Sequence, residues 1–234
     1  MPRRNKDAAF KALEFSRIHP EAEAWRKVLS LGKRVKLLKG ASINYGENAD
    51  DNLYFLEKGE FRLVRTSLDG REKIIWAIGP GSLVGETPFF DELPSHSRHV
   101  AATDSVLYAF SRKCVLEKIL PHEPELMMCI FRSLASKVRV LSNQSVCLCM
   151  DDLASRICKF LHLRMAHYAV EDNSTFVCPG LNQQELANFL GVHRVTLNKV
   201  LRELEKAQIL SPYSRDEVCI LDVKRFQEIA FENK

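Results

Sequence analysis

The pattern of apolar and polar positions changes character several times along the 234 residues. Over residues 6–30, Phe10, Leu13, Ala22, Trp25, Val28 and Leu29 recur at helical spacing, and Pro20 separates two short predicted helices. From Gly32 to Arg112 the texture becomes short apolar segments divided by turn residues: KRVKLLKG, NLYFLEKG, EFRLVRTSLDG, REKIIWAIGPG, SLVGE and SVLYAFS. Strands of this length at such spacing predict an antiparallel barrel or sandwich. Asp69-Gly70 marks a hairpin, because glycine accepts the positive φ that a tight hairpin turn needs.

After Pro121 and Pro124 a long stretch lacks both proline and glycine. Within it Met127, Phe131, Leu134, Val138, Leu141, Ser145 and Leu148 repeat at spacings of four and three, a seam that favours a partner helix. Homodimerisation is the economical reading. A helix packed on its own barrel is the alternative, and the two can hold on different faces. Asp151-Asp152 interrupts the seam and can cap a further helix, LASRICKFLHLRMAHYA. The expected plan is α+β: a sensory β-barrel domain with leading helices over 1–120, a dimerisation helix over 121–150, and a DNA-binding domain over 151–234.

Residues 181–210, LNQQELANFLGVHRVTLNKVLRELEKAQIL, carry the most specific local signal. Asn182 with Glu185 three positions on makes a capping box for a short helix over Gln183 to Leu190. Leu186, Phe189 and Leu190 are expected to face inward, and Gly191 supplies a tight turn. A second helix is predicted from about Arg194 to Ala207, with Val195, Val200, Leu201 and Leu204 available to the core. A helix, a glycine turn and a helix of this size form a helix-turn-helix, whose second helix enters the major groove. Arg194 has the geometry to grip guanine and Asn198 to read adenine; Lys199 and Arg202 suit bases or phosphates, and Gln184, His193, Val195 and Thr196 complete the candidate DNA surface. SPYSRDEVCILDV then reads as a wing hairpin and VKRFQEIAFE as a closing helix.

Charge sharpens this reading. The formal net charge is +4, yet from Asp151 onward there are 11 Lys and Arg against 12 Asp and Glu. Any footprint on DNA must therefore be local, and Gly191 to Arg202 contains no acid. The seven cysteines are odd in number and include no C-x-x-C pair, which fits buried reduced thiols. Cys147 and Cys149, one residue apart, are the pair open to a redox role. No apolar run approaches the length of a membrane span and the start lacks a signal core, so no membrane partner and a cytoplasmic address are expected. No phosphate loop, nucleophile-base set or metal-ligand spacing argues for an enzyme or a metal site. His96-x-x-His99, in a predicted loop, offers two ligands at most. The rival to DNA reading is a regulatory small-molecule-binding module whose helical domain contacts a protein.

These features together resemble the superfamily of the cyclic-AMP receptor protein and the fumarate-nitrate reduction regulator. The resemblance runs through GASINYGENADDNLYFLEKGEFRLV, the GPGSLVGE turn, the helix ending at Asp152, and the helix-turn-helix. GVHRVTLNKVL is most similar to the recognition helix of halorespiration regulators that sense chlorinated phenols. The resemblance implies a jelly-roll barrel of the cyclic-nucleotide-binding kind, a winged helix-turn-helix, a homodimer on two-fold symmetric double-stranded DNA, and RNA polymerase as a further partner. It places a small-molecule effector between barrel and long helix.

Set against the family pattern, the effector positions are Gly85, Glu86, His96, Ser97, Arg98, Leu141 and Ser142. Gly85 and Glu86 keep the pair that holds a ribose, and Ser97 aligns. His96 stands where cyclic-nucleotide members carry arginine, Arg98 follows, and Leu141 replaces a threonine, so the pocket becomes more apolar. The effector stays open between a cyclic nucleotide, haem served by Pro2, His96, His99 or Cys114, and another molecule. An N-terminal iron–sulfur cluster is disfavoured, since no cysteine precedes Cys114. His19, His122, His162 and His167 read as surface or packing residues. In the recognition helix Val195 replaces a glutamate and Lys199 an arginine, so the DNA site is expected to differ from that of the best-known members.

Overall fold

A computed structural model describes residues 17–18, 22–45, 51–165 and 175–231. The predictions resting on Pro2, Phe10, Leu13, His19, Pro20 and His167 lie outside these residues. The chain divides into two compact units, Met1–Asn143 and Gln144–Lys234, each with its own core.

The first unit is built on two sheets. Strands β1 (Arg17–Ile18), β3 (Ser42–Asn44), β5 (Phe61–Thr66), β6 (Glu72–Ile78) and β8 (Ser97–Ala101) form one, in the order β1-β6-β5-β8-β3. Strands β2 (Lys33–Leu37), β4 (Asn52–Lys58), β7 (Ser82–Val84) and β9 (Ser105–Ser111) form the other, in the order β2-β9-β4-β7. Pairing is antiparallel except where β1 runs parallel to β6. The expected barrel is thus a jelly-roll-like pair of sheets, each with edges. The hairpin at Asp69-Gly70 forms as predicted, with Gly70 N–H donating to the Ser67 carbonyl. β1 was not expected: Arg17–Ile18 lies in the stretch given to leading helices. Glu23–Leu31 does coil, as a 3-10 helix burying Trp25 and Val28.

β4 shows how the unit is layered. Leu53, Tyr54, Phe55 and Leu56 are all buried, although alternate strand residues face opposite sides. Tyr54 and Leu56 join Phe61, Leu63, Trp76 and Ile78 of the facing sheet in one core. Leu53 and Phe55 join Trp25, Phe110, Val115, Ile119, Leu126 and Ile130 in a second core roofed by helices. A strand covered on both sides must be apolar at every position, which explains the unbroken run that pattern alone leaves ambiguous.

The long helix Pro124–Met150 carries two faces. Leu126, Ile130, Ser133, Lys137 and Val140 are buried, spaced by four and three. Met127, Phe131, Val138, Leu141 and Leu148 of the predicted seam stay exposed, as does Ser145, and Leu134 is half-buried. Among the described residues no helix is long and apolar enough to cross a membrane.

The second unit holds the helices Leu153–Met165, Gln183–Leu190, Arg194–Lys206 and Val223–Phe231. The small strand pair β10 (Thr175–Val177) and β11 (Val218–Ile220) completes it. Asp152 caps the first of these helices through the Ser155 N–H at 2.7 Å. Beside it the buried Asp151 pairs with the half-buried Lys159 at 2.5 Å. Ile157, Cys158, Phe160 and Leu161 face the core, where Phe160 packs on Phe189 at a 5.2 Å centroid distance.

Candidate nucleic-acid interface and effector site

Local chemistry fixes the helix-turn-helix. Asn182 Oδ1 accepts from Glu185 N–H at 2.9 Å and Glu185 Oε2 accepts from Asn182 N–H at 2.9 Å, which closes the predicted capping box. The helix ends at Gly191, whose φ of 71° lies in the left-handed region that favours glycine. Arg156 clamps the turn from another helix by donating to the Leu190 carbonyl at 3.0 Å. The following helix turns Leu197, Leu201 and Leu204 inward. Val195, expected as an available core residue, is instead 71% exposed. Leu197 takes the inward position, because 3.6-residue periodicity aligns it with Leu201 and Leu204 and leaves Val195 on the opposite side.

Most of the predicted DNA-reading side chains are exposed. His193, Arg194, Val195, Thr196, Lys199 and Arg202 are all exposed, and Lys199 lies one turn and a residue beyond Arg194. Asn198 is half-buried, and its Oδ1 is enclosed without a hydrogen-bond partner. Gln184 Nε2 donates to Asn188 Oδ1 at 2.9 Å. Arg194 and Gln184 border an open concavity of about 470 Å³ that is also lined by Asn182, Tyr213, Ser214 and Arg215. Sequence reading missed Arg215. It sits in the wing turn, where Ser214 Oγ accepts from Glu217 N–H at 3.0 Å and donates to its carbonyl at 2.8 Å. The wing itself forms between the Ile209–Ser211 segment and β11, bridged at Leu210 and Ile220. Its β10 partner strand was not predicted.

The effector positions divide differently. Gly85 has a φ of 92° and lies so close to Tyr45 that a Cβ there would stand 2.4 Å from the Tyr45 hydroxyl oxygen. The short helix Glu86–Asp91, absent from the prediction, begins at Glu86. The Glu86 side chain is buried and accepts from Lys137 Nζ at 2.5 Å on each oxygen and from the Ser133 hydroxyl at 2.6 Å. Lys137 also donates to the Leu83 carbonyl at 3.4 Å and lies 5.9 Å from the Trp76 ring centre.

His96-x-x-His99 does not form a loop pair. His96 lies in the bend before β8, whereas His99 lies within that strand and is buried. Burial pushes the His99 ring down to about 3, with the Lys137 charge adding to the effect. The imidazole is neutral at physiological pH, and neither ring nitrogen has a hydrogen-bond partner. Arg98 lies on the other face from His99 and pairs with Glu72, so it is not turned toward Glu86. Ser97 shares the face of His99 and is half-buried. Leu141 and Ser142, assigned to the pocket, are exposed on the long helix; the helix residues turned into the unit are Ser133, Lys137 and Val140. A lysine at core spacing was the signal available for finding them.

The cysteines separate as well. Cys147 is buried, and this desolvation, with the neighbouring Asp151 adding to it, pushes its thiol up to about 12, whereas Cys149 is exposed. Among the described residues no group of three His, Cys, Asp or Glu side chains converges on a metal position.

Comparison with known proteins agrees with both halves. Residues 34–122 match the model of a cyclic nucleotide-binding domain, and residues 155–229 that of a Crp-like helix-turn-helix domain. The chain is 29% identical over 154 residues to the CRP-like cAMP-activated global transcriptional regulator of Mycobacterium tuberculosis, covering 65% of this chain and 68% of that protein. It is 24% identical over 177 residues to the cAMP-activated global transcriptional regulator CRP of Haemophilus influenzae, covering 76% and 79%. Among solved structures, OCPA-complexed CprK superposes with a TM-score of 0.72 at 20% identity, over 90% of this chain and 97% of that one. The c-di-GMP-responsive global regulator CLP of Xanthomonas campestris gives 0.73 at 20% identity, over 84% and 97%. With an effector-type domain and a helix-turn-helix each matched in order along the chain, the protein belongs to the CRP/FNR family of effector-responsive, DNA-binding transcription regulators.

Proposed function

We propose that the chain acts as a homodimer on a two-fold symmetric DNA site, with a small molecule bound in the first unit controlling its hold on that site. The acid-free stretch from Gly191 to Arg202, which opens the recognition helix, carries this reading. Arg194 and Lys199 stand in it ready for base edges or phosphates, and exposed Val195 offers a thymine methyl an apolar contact. Arg215, on the rim of the same concavity, suits a backbone phosphate.

The exposed stripe on the long helix supports the dimer. Met127, Phe131, Val138, Leu141 and Leu148 are each at least 41% exposed, and a row of this kind is covered at low cost by a second copy of itself. RNA polymerase is the further partner that membership of the family suggests.

The test is selection of random duplexes by the purified protein at about 0.15 M salt, followed by titration of the enriched site against an unrelated duplex. An inverted repeat bound far more tightly than the unrelated duplex is the expected result. Enrichment of a lone half-site would remove the dimer. Failure to enrich any sequence, with and without candidate effectors, would move the assignment to the protein-contacting module.

A further inference from the structure

Four inward residues of the five-stranded sheet stand side by side on adjacent strands. Ile43 pairs with His99, His99 with Leu63, and Leu63 with Trp76, so one row crosses β3, β8, β5 and β6. Directly opposed residues share a face, so both ring side chains look into the same core as Leu63 and Ile43. His99 is 5% and Trp76 7% exposed, and the Trp76 indole nitrogen, like both His99 nitrogens, has no hydrogen-bond partner. Enclosed polar groups in folded proteins are nearly always paired, so two unpartnered ring systems in one row point to an acceptor that arrives from outside. Lys137 lies over Trp76 and is the only buried lysine or arginine among the described residues.

The chemistry of the acceptor follows from the donors. Indole offers one N–H and no acceptor, neutral imidazole one N–H, and Lys137 an ammonium. Leu63, Ile43 and Val140 provide an apolar floor around them. Glu86 meanwhile already accepts from Lys137 and Ser133, so the hydroxyls of a ribose would have to compete with them. We propose that this row, with Lys137, binds a small organic anion bearing a carboxylate on a flat apolar body, and that the incoming carboxylate displaces Glu86 from Lys137. The proposal rests on reading the first unit as the effector domain. Glu86 opens the helix that follows Gly85, and Lys137 belongs to the long helix, so the exchange releases a contact between those two elements.

Titration of DNA-free protein by calorimetry tests this, with phenylacetate as the probe and cyclic AMP as the comparison. The wild-type protein is expected to bind phenylacetate. Removing the competing carboxylate in E86Q is expected to tighten binding about tenfold, while K137M loses at least about tenfold. W76F, which deletes one donor, is expected to weaken binding about threefold. Should K137M fail to fold, the double variant E86L/K137M, which removes both buried charges together, is expected to fold and not bind. Absence of phenylacetate binding to both wild type and E86Q overturns the proposal. So does saturation by cyclic AMP that K137M leaves undiminished. Because no DNA is present, these outcomes are separable from failure of the duplex selection.

Discussion

The two units put polar chemistry to use in opposite ways. In the DNA-reading head the functional side chains are outside, set on a helix whose inner face, Leu197, Leu201 and Leu204, does the folding. In the effector unit the polar groups are inside: Glu86, Ser133, Lys137 and His99 are all buried among the residues that hold the sheets together. A substitution in the head therefore changes binding with little effect on stability. The same kind of change in the effector unit strikes the fold first. Separating function from stability is simple at one end of the chain and difficult at the other.

The largest effect that would sharpen this contrast comes from the buried ion pair. K137M leaves Glu86 enclosed without its counter-charge, and a loss of about 3–5 kcal/mol is expected in urea unfolding. E86L/K137M should recover most of that loss, because two apolar side chains of similar size replace two charges that were costly to bury. If the double variant were as unstable as the single one, packing rather than charge would set the stability of this site.

His99 gives the next effect and its sign is fixed. Its folded value of about 3 lies below the ordinary 6.5, so the unfolded chain takes up a proton there that the folded chain refuses. This contribution is fully present above about pH 6.5 and is lost as pH falls from there toward about pH 3, at up to roughly 1.4 kcal/mol per pH unit. Thermal unfolding of H99L from pH 7 to 5 should be flatter with pH than that of the wild type. Equal slopes would assign the acid sensitivity to other groups.

The smallest effect on the fold belongs to the head. R194A should cost about 1–3 kcal/mol of specific DNA affinity, read by titration of the selected duplex, while its melting temperature stays within a degree or so. Loss of stability comparable to loss of affinity would break the contrast between the two units.

The same division governs what could be read from the sequence. The helix-turn-helix was legible to within a residue because its determinants are local: a capping pair three positions apart, one glycine, and a period of 3.6. Val195 was misplaced only because two registers of that period looked alike until the buried leucines chose between them. The strand β8 was missed because SRHVA carries serine, arginine and histidine and reads as loop. Its strand character comes from pairing with Ile43 and Leu63, far away in sequence. The Glu86–Lys137 pair spans 51 residues and no local pattern announces it. The effector positions came from the family resemblance, which did not include the contacts of Glu86 with Lys137 and Ser133.

For anyone wishing to retune the sensor, Gly85 marks where not to begin. Its lack of a side chain lets Tyr45 settle edge-on to His99 at a 5.6 Å ring distance, and even an alanine would force Tyr45 away. A library that randomises Gly85 together with its neighbours would thus consist largely of misfolded members, whatever ligand was sought. Diversity placed at Leu63, Trp76 and Val140 would alter the shape of the receiving surface while leaving that keystone undisturbed.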